Sequence, residues 1–238
     1  MTAFSRRSFI RTLSWGAAAP VLFPTAAAAQ SRADIPTAFA GNASLQALPF
    51  DSGQLDGFSQ RLIDSHWENN YGGSVRALNT IKQRLQEALA DDGLPAFVYN
   101  DLKREHLLRT GSVVLHEYYF ANMAPPGGRN AGLDRDLARA FGSVQNWERE
   151  FRRIGAGLGG GSGWVMLAWN THLQTLENYW MWDHMHAPAA AVPILVMDMY
   201  EHSYQMDYGA ATAQYIDAFL RNVNWEVVAE RLNKAVTV

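Results

Sequence analysis

Cysteine is absent from this chain. Disulfides, thiolate zinc sites and iron–sulfur clusters are therefore excluded. Any bound metal must rest on His, Asp or Glu, a donor set that favours iron, manganese or zinc over copper(I). A basic excess is missing too: 20 Lys and Arg stand against 23 Asp and Glu, for a formal net charge of −3. That leaves no electrostatic footprint for nucleic acid. Charged residues make up only 18% of the chain and apolar residues 48%, the balance of a globular protein. Repeats and low-complexity blocks are lacking beyond residue 45. The 238 residues suffice for one compact domain, or for two small ones sharing a core.

The first thirty residues do carry a signal. Ser5-Arg6-Arg7-Ser8-Phe9-Ile10-Arg11 resembles a twin-arginine export signature. An apolar stretch follows, broken by Pro20 and Pro24, and then Ala26-Ala27-Ala28-Ala29-Gln30, a small-residue cleavage site. A membrane anchor is the poorer reading, because two prolines interrupt a weak apolar run. Residues 1–29 are expected to be a signal peptide, and residues 30–45 a flexible lead. Removing 1–29 leaves 17 Lys and Arg against 23 Asp and Glu, a net charge of −6. The expected location is periplasmic or otherwise exported, with no membrane attachment after cleavage. An enzyme that takes up its metal before leaving the cytoplasm suits a route that carries folded proteins.

Apolar residues recur at helical spacing from Leu55 through Phe58, Leu62 and Ile63, and again at Val75, Leu78, Ile81, Leu85 and Leu89. Gly72-Gly73 interrupts them, which predicts two helices or one bent helix. Asp91-Asp92-Gly93-Leu94-Pro95 closes the run, and a second helical stretch spans 95–121. Two long helices joined by a short turn predict an antiparallel hairpin. Ala124-Pro125-Pro126-Gly127-Gly128 is the clearest boundary, and it separates an expected N-terminal domain, 46–124, from a C-terminal domain, 133–238. Beyond it, 133–141 and 143–157 read as helices, with Ser143 as an N-cap. Short apolar or alternating runs at 163–168, 174–180 and 192–197 read as strands. Asn170-Thr171-His172 is a candidate hairpin turn, and the stretches 215–220 and 225–232 are helical again. The class is α+β with a small antiparallel sheet.

Gly155-Ala156-Gly157-Leu158-Gly159-Gly160 matches G-x-G-x-x-G, but the order here is helix, glycines, strand. A phosphate cradle needs strand, glycines and then a helix N-terminus. The glycines are read as a crossing into a buried strand. Seven histidines remain for chemistry. Asp198 and His202 lie four apart at the end of an apolar run, so a strand end can deliver both to one point. His66 and His116 lie one on each long helix, where facing side chains can meet. This spacing permits a metal site but does not choose among zinc, iron and manganese. His106, beside Lys103, Arg104 and Glu105, reads as a solvated face, and His172 as a hairpin residue.

Asp198-Met199-Tyr200-Glu201-His202-Ser203-Tyr204 resembles the D-x-W-E-H-A-Y signature of iron/manganese superoxide dismutases. Phe141-Gly142-Ser143, Gly161-Ser162-Gly163-Trp164, Tyr215-Ile216, Asn222-Val223-Asn224-Trp225 and Leu48-Pro49-Phe50 are similar to other segments of that family. The resemblance runs from about residue 46 to 233. It implies a helical hairpin followed by a three-stranded antiparallel sheet with helices. It implies one iron or manganese ion per chain on His66, His116, Asp198 and His202, and superoxide as the substrate. His184 falls where the family hydrogen-bonds metal-bound solvent, and Trp164 where it walls the pocket; these two are the catalytic candidates. Glu201 and Tyr204 resemble residues that reach across a homodimer interface.

This chain departs from the family pattern at four places. The gateway tyrosine is Ser74, the histidine four residues after the first ligand is Asn70, and two tryptophans are Tyr200 and Phe120. Tyr71 is a candidate substitute for the missing phenol. Asn70 and Ser74 leave open a fold relative that binds metal but dismutates little. A helical interaction module with incidental histidines is the remaining alternative.

Overall fold

The computed structural model describes residues 35–237, so the expected signal peptide and the first residues of the lead lie outside the described residues. Ser59 caps helix α1 (Gln60–Ser65), its Oγ accepting from the Leu62 amide. The turn then widens into a π-helical segment, His66–Tyr71, and continues without a break into α2 (Gly72–Leu89). The expected interruption is therefore real but sits one turn early: the π segment, not the glycine pair, changes the helical phase. Such single-turn insertions re-aim side chains, and the residue opening this one is His66. Helix α3 (Ala96–Ala121) returns alongside α2. The pairs Tyr71–Glu117 and Ser74–Ser112, both hydrogen-bonded, run in opposite directions along the two helices and define an antiparallel hairpin. The described part of the lead is tied down: Asn79 on α2 accepts from the Ala43 amide and donates to the Ala43 carbonyl.

Helices α4 (Ala131–Phe141) and α5 (Val144–Leu158) follow the proline–glycine segment, and Ser143 caps α5 through the Asn146 amide. Strands β1 (Trp164–Asn170), β2 (Thr175–Met181) and β3 (Ala191–Asp198) form an antiparallel sheet in the order β2-β1-β3. The register sets Trp164, the first residue of the central strand, opposite Asp198, the last residue of β3. The Gly155–Gly160 run ends α5 and leads into β1, as read from the order of elements. Gly155 is there for close packing: a Cβ on it would come within 2.8 Å of Met197 Cε. A 3₁₀ turn, Glu201–Ser203, leads to α6 (Gln205–Tyr208), α7 (Thr212–Arg221) and α8 (Trp225–Ala235).

One continuous core joins the two halves. Leu62, Ile63 and Tyr119 from the hairpin are packed in it with Trp147, Trp164, Met197 and Phe219. From Pro36 onward the chain is one compact unit. Buried Asn122, at the end of α3, donates to the Val196 carbonyl on β3, and Ala124 and Asn224 exchange main-chain bonds with Asn222 and Asn122. These bonds fix the end of the hairpin against the sheet, so the helices and the strand end that carry the candidate ligands cannot drift apart. Among the described residues, no helix is long and apolar enough to cross a membrane.

Candidate metal centre

Four elements deliver one side chain each to a common point. His66 opens the π segment, His116 lies in the last turns of α3, Asp198 ends β3, and His202 sits in the 3₁₀ turn. Asp198 Oδ2 lies 3.2 Å from His66 Nε2, 3.6 Å from His116 Nε2 and 3.2 Å from His202 Nε2. One donor atom from each residue falls within 4.8 Å of all the others. His66, His116 and Asp198 are buried, while His202 is partly exposed.

The surroundings hold these groups ready to donate. His116 Nδ1–H donates to the Ser112 carbonyl at 2.7 Å, which places the free lone pair on Nε2. Asp198 Oδ1 accepts from the Tyr200 amide at 2.8 Å, leaving Oδ2 facing the three imidazoles. Burial lowers the pKa of His66 and takes that of His116 well below the usual histidine value. Both imidazoles are neutral at neutral pH, the form that binds metal. For Asp198, burial acts upward, but the charge and hydrogen bond of His202 and the close approach of His66 outweigh it and hold the carboxyl below the ordinary carboxylate range.

Nε2 of both His66 and His116 is buried without a hydrogen-bond partner. Orphaned polar atoms at the centre of a packed core are costly unless something binds them. Three nitrogens and a carboxylate oxygen converging there fit a single first-row transition ion with N/O donors.

Around this cluster, Trp164 stands with its ring 5.2 Å from that of His116. Its indole N–H donates to His184 Nδ1 at 3.0 Å. The His184 ring stacks on Tyr200 at 4.6 Å and an interplanar angle of 10°, and Tyr200 in turn stacks on His202. Burial takes the pKa of His184 down to about 4 and that of Tyr200 up to about 12. Both candidates from the C-terminal half thus stand beside the four donors.

Tyr71 stacks on His116, but its hydroxyl is engaged away from the four donors, and the remaining expected residues play other parts. The Tyr71 hydroxyl is taken up by Glu117 Oε1, to which it donates, and by the Gln46 amide, from which it accepts. It cannot stand in for a free phenol at the site. Ser74 is buried and bonded to Ser112. Tyr204 is only 1% exposed, with its hydroxyl accepting from the Gly160 amide, so it is a core residue of its own chain and does not reach outward. Glu201 is exposed. His186 stacks on exposed Trp180, and His172 sits in the β1–β2 turn. His106 contacts Lys103.

Sequence reasoning passed over the support for Asp198. The Tyr215 hydroxyl and Ser203 Oγ both donate to the Asp198 main-chain carbonyl. Tyr215 belongs to the Tyr215-Ile216 segment that resembles the family, but its spacing along the chain does not disclose its partner.

Residues 129–231 match the model of the C-terminal domain of iron/manganese superoxide dismutases. The chain is 46% identical over 192 residues to an iron superoxide dismutase of Cupriavidus metallidurans, covering 81% of this chain and 97% of that protein. It is 30% identical over 197 residues to a manganese superoxide dismutase of Halobacterium salinarum, covering 80% and 95%. An iron superoxide dismutase of Aquifex aeolicus is 32% identical over 190 residues, covering 76% and 87%.

Proposed function

The chain belongs to the iron/manganese superoxide dismutase family, and we propose that it dismutates superoxide with one iron or manganese ion held by His66, His116, Asp198 and His202. The observation that carries this reading is the convergence of three imidazole nitrogens on Asp198 Oδ2, two of them buried and otherwise unpartnered. A bound iron or manganese ion supplies the alternating one-electron oxidation and reduction that turns two superoxide anions and two protons into dioxygen and hydrogen peroxide.

The chain's own residues hold, shield and proton-load the site. His116 is oriented by Ser112, and Asp198 by Tyr200, Tyr215 and Ser203. Trp164 gives His184 Nδ1 a donor, so the ring proton of neutral His184 sits on Nε2. His184 thereby offers a hydrogen-bond donor to solvent or a small oxyanion, and the Trp164 and Tyr200 rings limit water around it. His184 and Trp164 are proposed as the catalytic pair beside the ion.

The test is superoxide decay, followed by pulse radiolysis, on the mature chain loaded with stoichiometric iron or manganese. A rate no greater than that of the metal-free chain defeats the reading. It favours the second one, a metal-binding relative with little dismutase activity. Ser74 motivates that alternative, because its hydroxyl is already bonded to Ser112 and Tyr71 is occupied by Glu117.

Two finer proposals accompany this one. The Arg6-Arg7 motif and the small-residue stretch after it support export to the periplasm by the twin-arginine route; fractionation of cells carrying Arg6→Lys and Arg7→Lys together tests it, and unchanged export refutes it. Exposed Glu201, directly before a donor residue, supports a homodimer through this edge. Light scattering of the parent chain and of Glu201→Ala tests that, and a monomeric parent refutes it.

A further inference from the structure

Gly111 lies in the interior of α3, a helix of 26 residues. Glycine is disfavoured there relative to alanine, and no turn or left-handed backbone calls for it. What calls for it is the segment between β2 and β3. A Cβ on Gly111 would fall 1.8 Å from the His184 carbonyl oxygen, 2.9 Å from its carbonyl carbon and 3.4 Å from its Cβ. The main chain of His184 rests directly on the bare face of the helix. Five residues further along the same helix is His116, whose ring lies 5.9 Å from the His184 ring.

We infer that Gly111 is a positioning residue for His184: the missing side chain lets the loop seat this imidazole between Trp164 and Tyr200 at the metal centre. The inference rests on the role proposed above for His184. Any side chain at 111 must lift the loop by roughly 1.5 Å to restore ordinary van der Waals contact. The Trp164 indole is anchored in the buried start of β1 and cannot follow, so its 3.0 Å bond to His184 Nδ1 breaks. The four donors sit on α3, the π segment, β3 and the 3₁₀ turn, and none of them is carried by the loop. Trp182 and His186 on that loop are exposed, so it has room to move outward.

The experiment compares Gly111→Ala, His184→Ala and the parent in the full mature chain. The control is Gly157→Ala, which makes the same change in α5 where a Cβ would meet nothing within 4 Å. Two readouts are taken: iron content with the visible spectrum of the iron-loaded protein, and hydrogen exchange of the Trp164 indole in the metal-free protein. G111A is expected to keep about one iron per chain, to shift the spectrum in the direction of H184A, and to exchange the indole proton about fivefold faster, the factor that one net hydrogen bond corresponds to. G157A is expected to change neither. A parental spectrum and parental exchange in G111A, with an altered H184A, overturn the inference and leave the role of His184 standing. A parental spectrum in H184A overturns that role and the inference with it. Loss of iron or of the fold in G111A also overturns it, because a displaced surface loop accounts for neither.

Discussion

Ser74 on α2 and Ser112 on α3 hydrogen-bond to each other across the buried seam of the hairpin, 2.8 Å from oxygen to oxygen. The Ser112 carbonyl is also the acceptor for His116 Nδ1–H. Ser74 is thus part of the link between the two helices behind a metal donor. Replacing Ser74 by Ala leaves the Ser112 hydroxyl without this partner and should cost about 1–2 kcal/mol. Replacing it by Tyr forces a phenol into a packed seam and should cost about 1–3 kcal/mol. Urea unfolding of the metal-free chain checks both, as a lower midpoint at an unchanged slope. A Tyr variant as stable as the parent would mean the seam has unfilled room.

Tyr215 is fully buried and its hydroxyl donates to the Asp198 carbonyl, which Ser203 also reaches at 3.0 Å. Tyr215→Phe removes one of two donors at the strand end that presents the carboxylate. The expected loss is about 1–2 kcal/mol, with weaker metal retention when the holoprotein is dialysed against a chelator. Tyr215→Phe with parental stability and parental metal retention would show that Ser203 alone suffices to hold this carbonyl.

His202→Ala removes one of four donors, the one nearest solvent. Metal content should fall from about one ion per chain to near zero. The parent should lose thermal stability on chelation, by about 4 kcal/mol where free metal had exceeded Kd a thousandfold, while the variant should be indifferent to chelator. Stoichiometric metal in the variant, measured by mass spectrometry of the element, would disprove this donor set.

Stability of the metal-free chain should depend steeply on pH. His66, His116 and His184 have pKa values below the unfolded value near 6.5, all through burial, with His184 at about 4. Between the folded and unfolded values, the unfolded chain binds more protons, so stability is full above about pH 6.5 and falls as pH drops. Each histidine contributes up to about 1.4 kcal/mol per pH unit. The carboxyl of Asp198, held low, adds its own loss only below the ordinary carboxylate value of about 3.9. Urea midpoints at pH 7.5, 6.0 and 5.0 check this. A level profile would mean that the imidazoles are not held neutral by burial.

Much of the fold was legible because it rests on local rules. The apolar spacing of α2 and α3, the Ser143 cap and the alternating runs of β1 to β3 each report on a few neighbouring residues, and each element formed within a few residues of its expected ends. The π segment was not legible. It is accompanied by tertiary bonds such as those of Tyr71 to Glu117 and Gln46, and it leaves no mark on periodicity beyond a phase slip that coincides with Gly72-Gly73. Tyr204 shows the same limit: its place in a motif did not reveal whether its ring faces outward or inward.

Taken alone, the sequence determined the α+β class, the absence of sulfur ligands and the pairing of Asp198 with His202 at a strand end, since composition and short-range spacing decide these. Only the tertiary structure decided that His66 and His116 meet that pair at one point, that Tyr71 is occupied elsewhere, and that Gly111 makes room for His184. Convergence of four segments is a property of packing, and packing is set by how shapes fill one core, which no single stretch of chain contains.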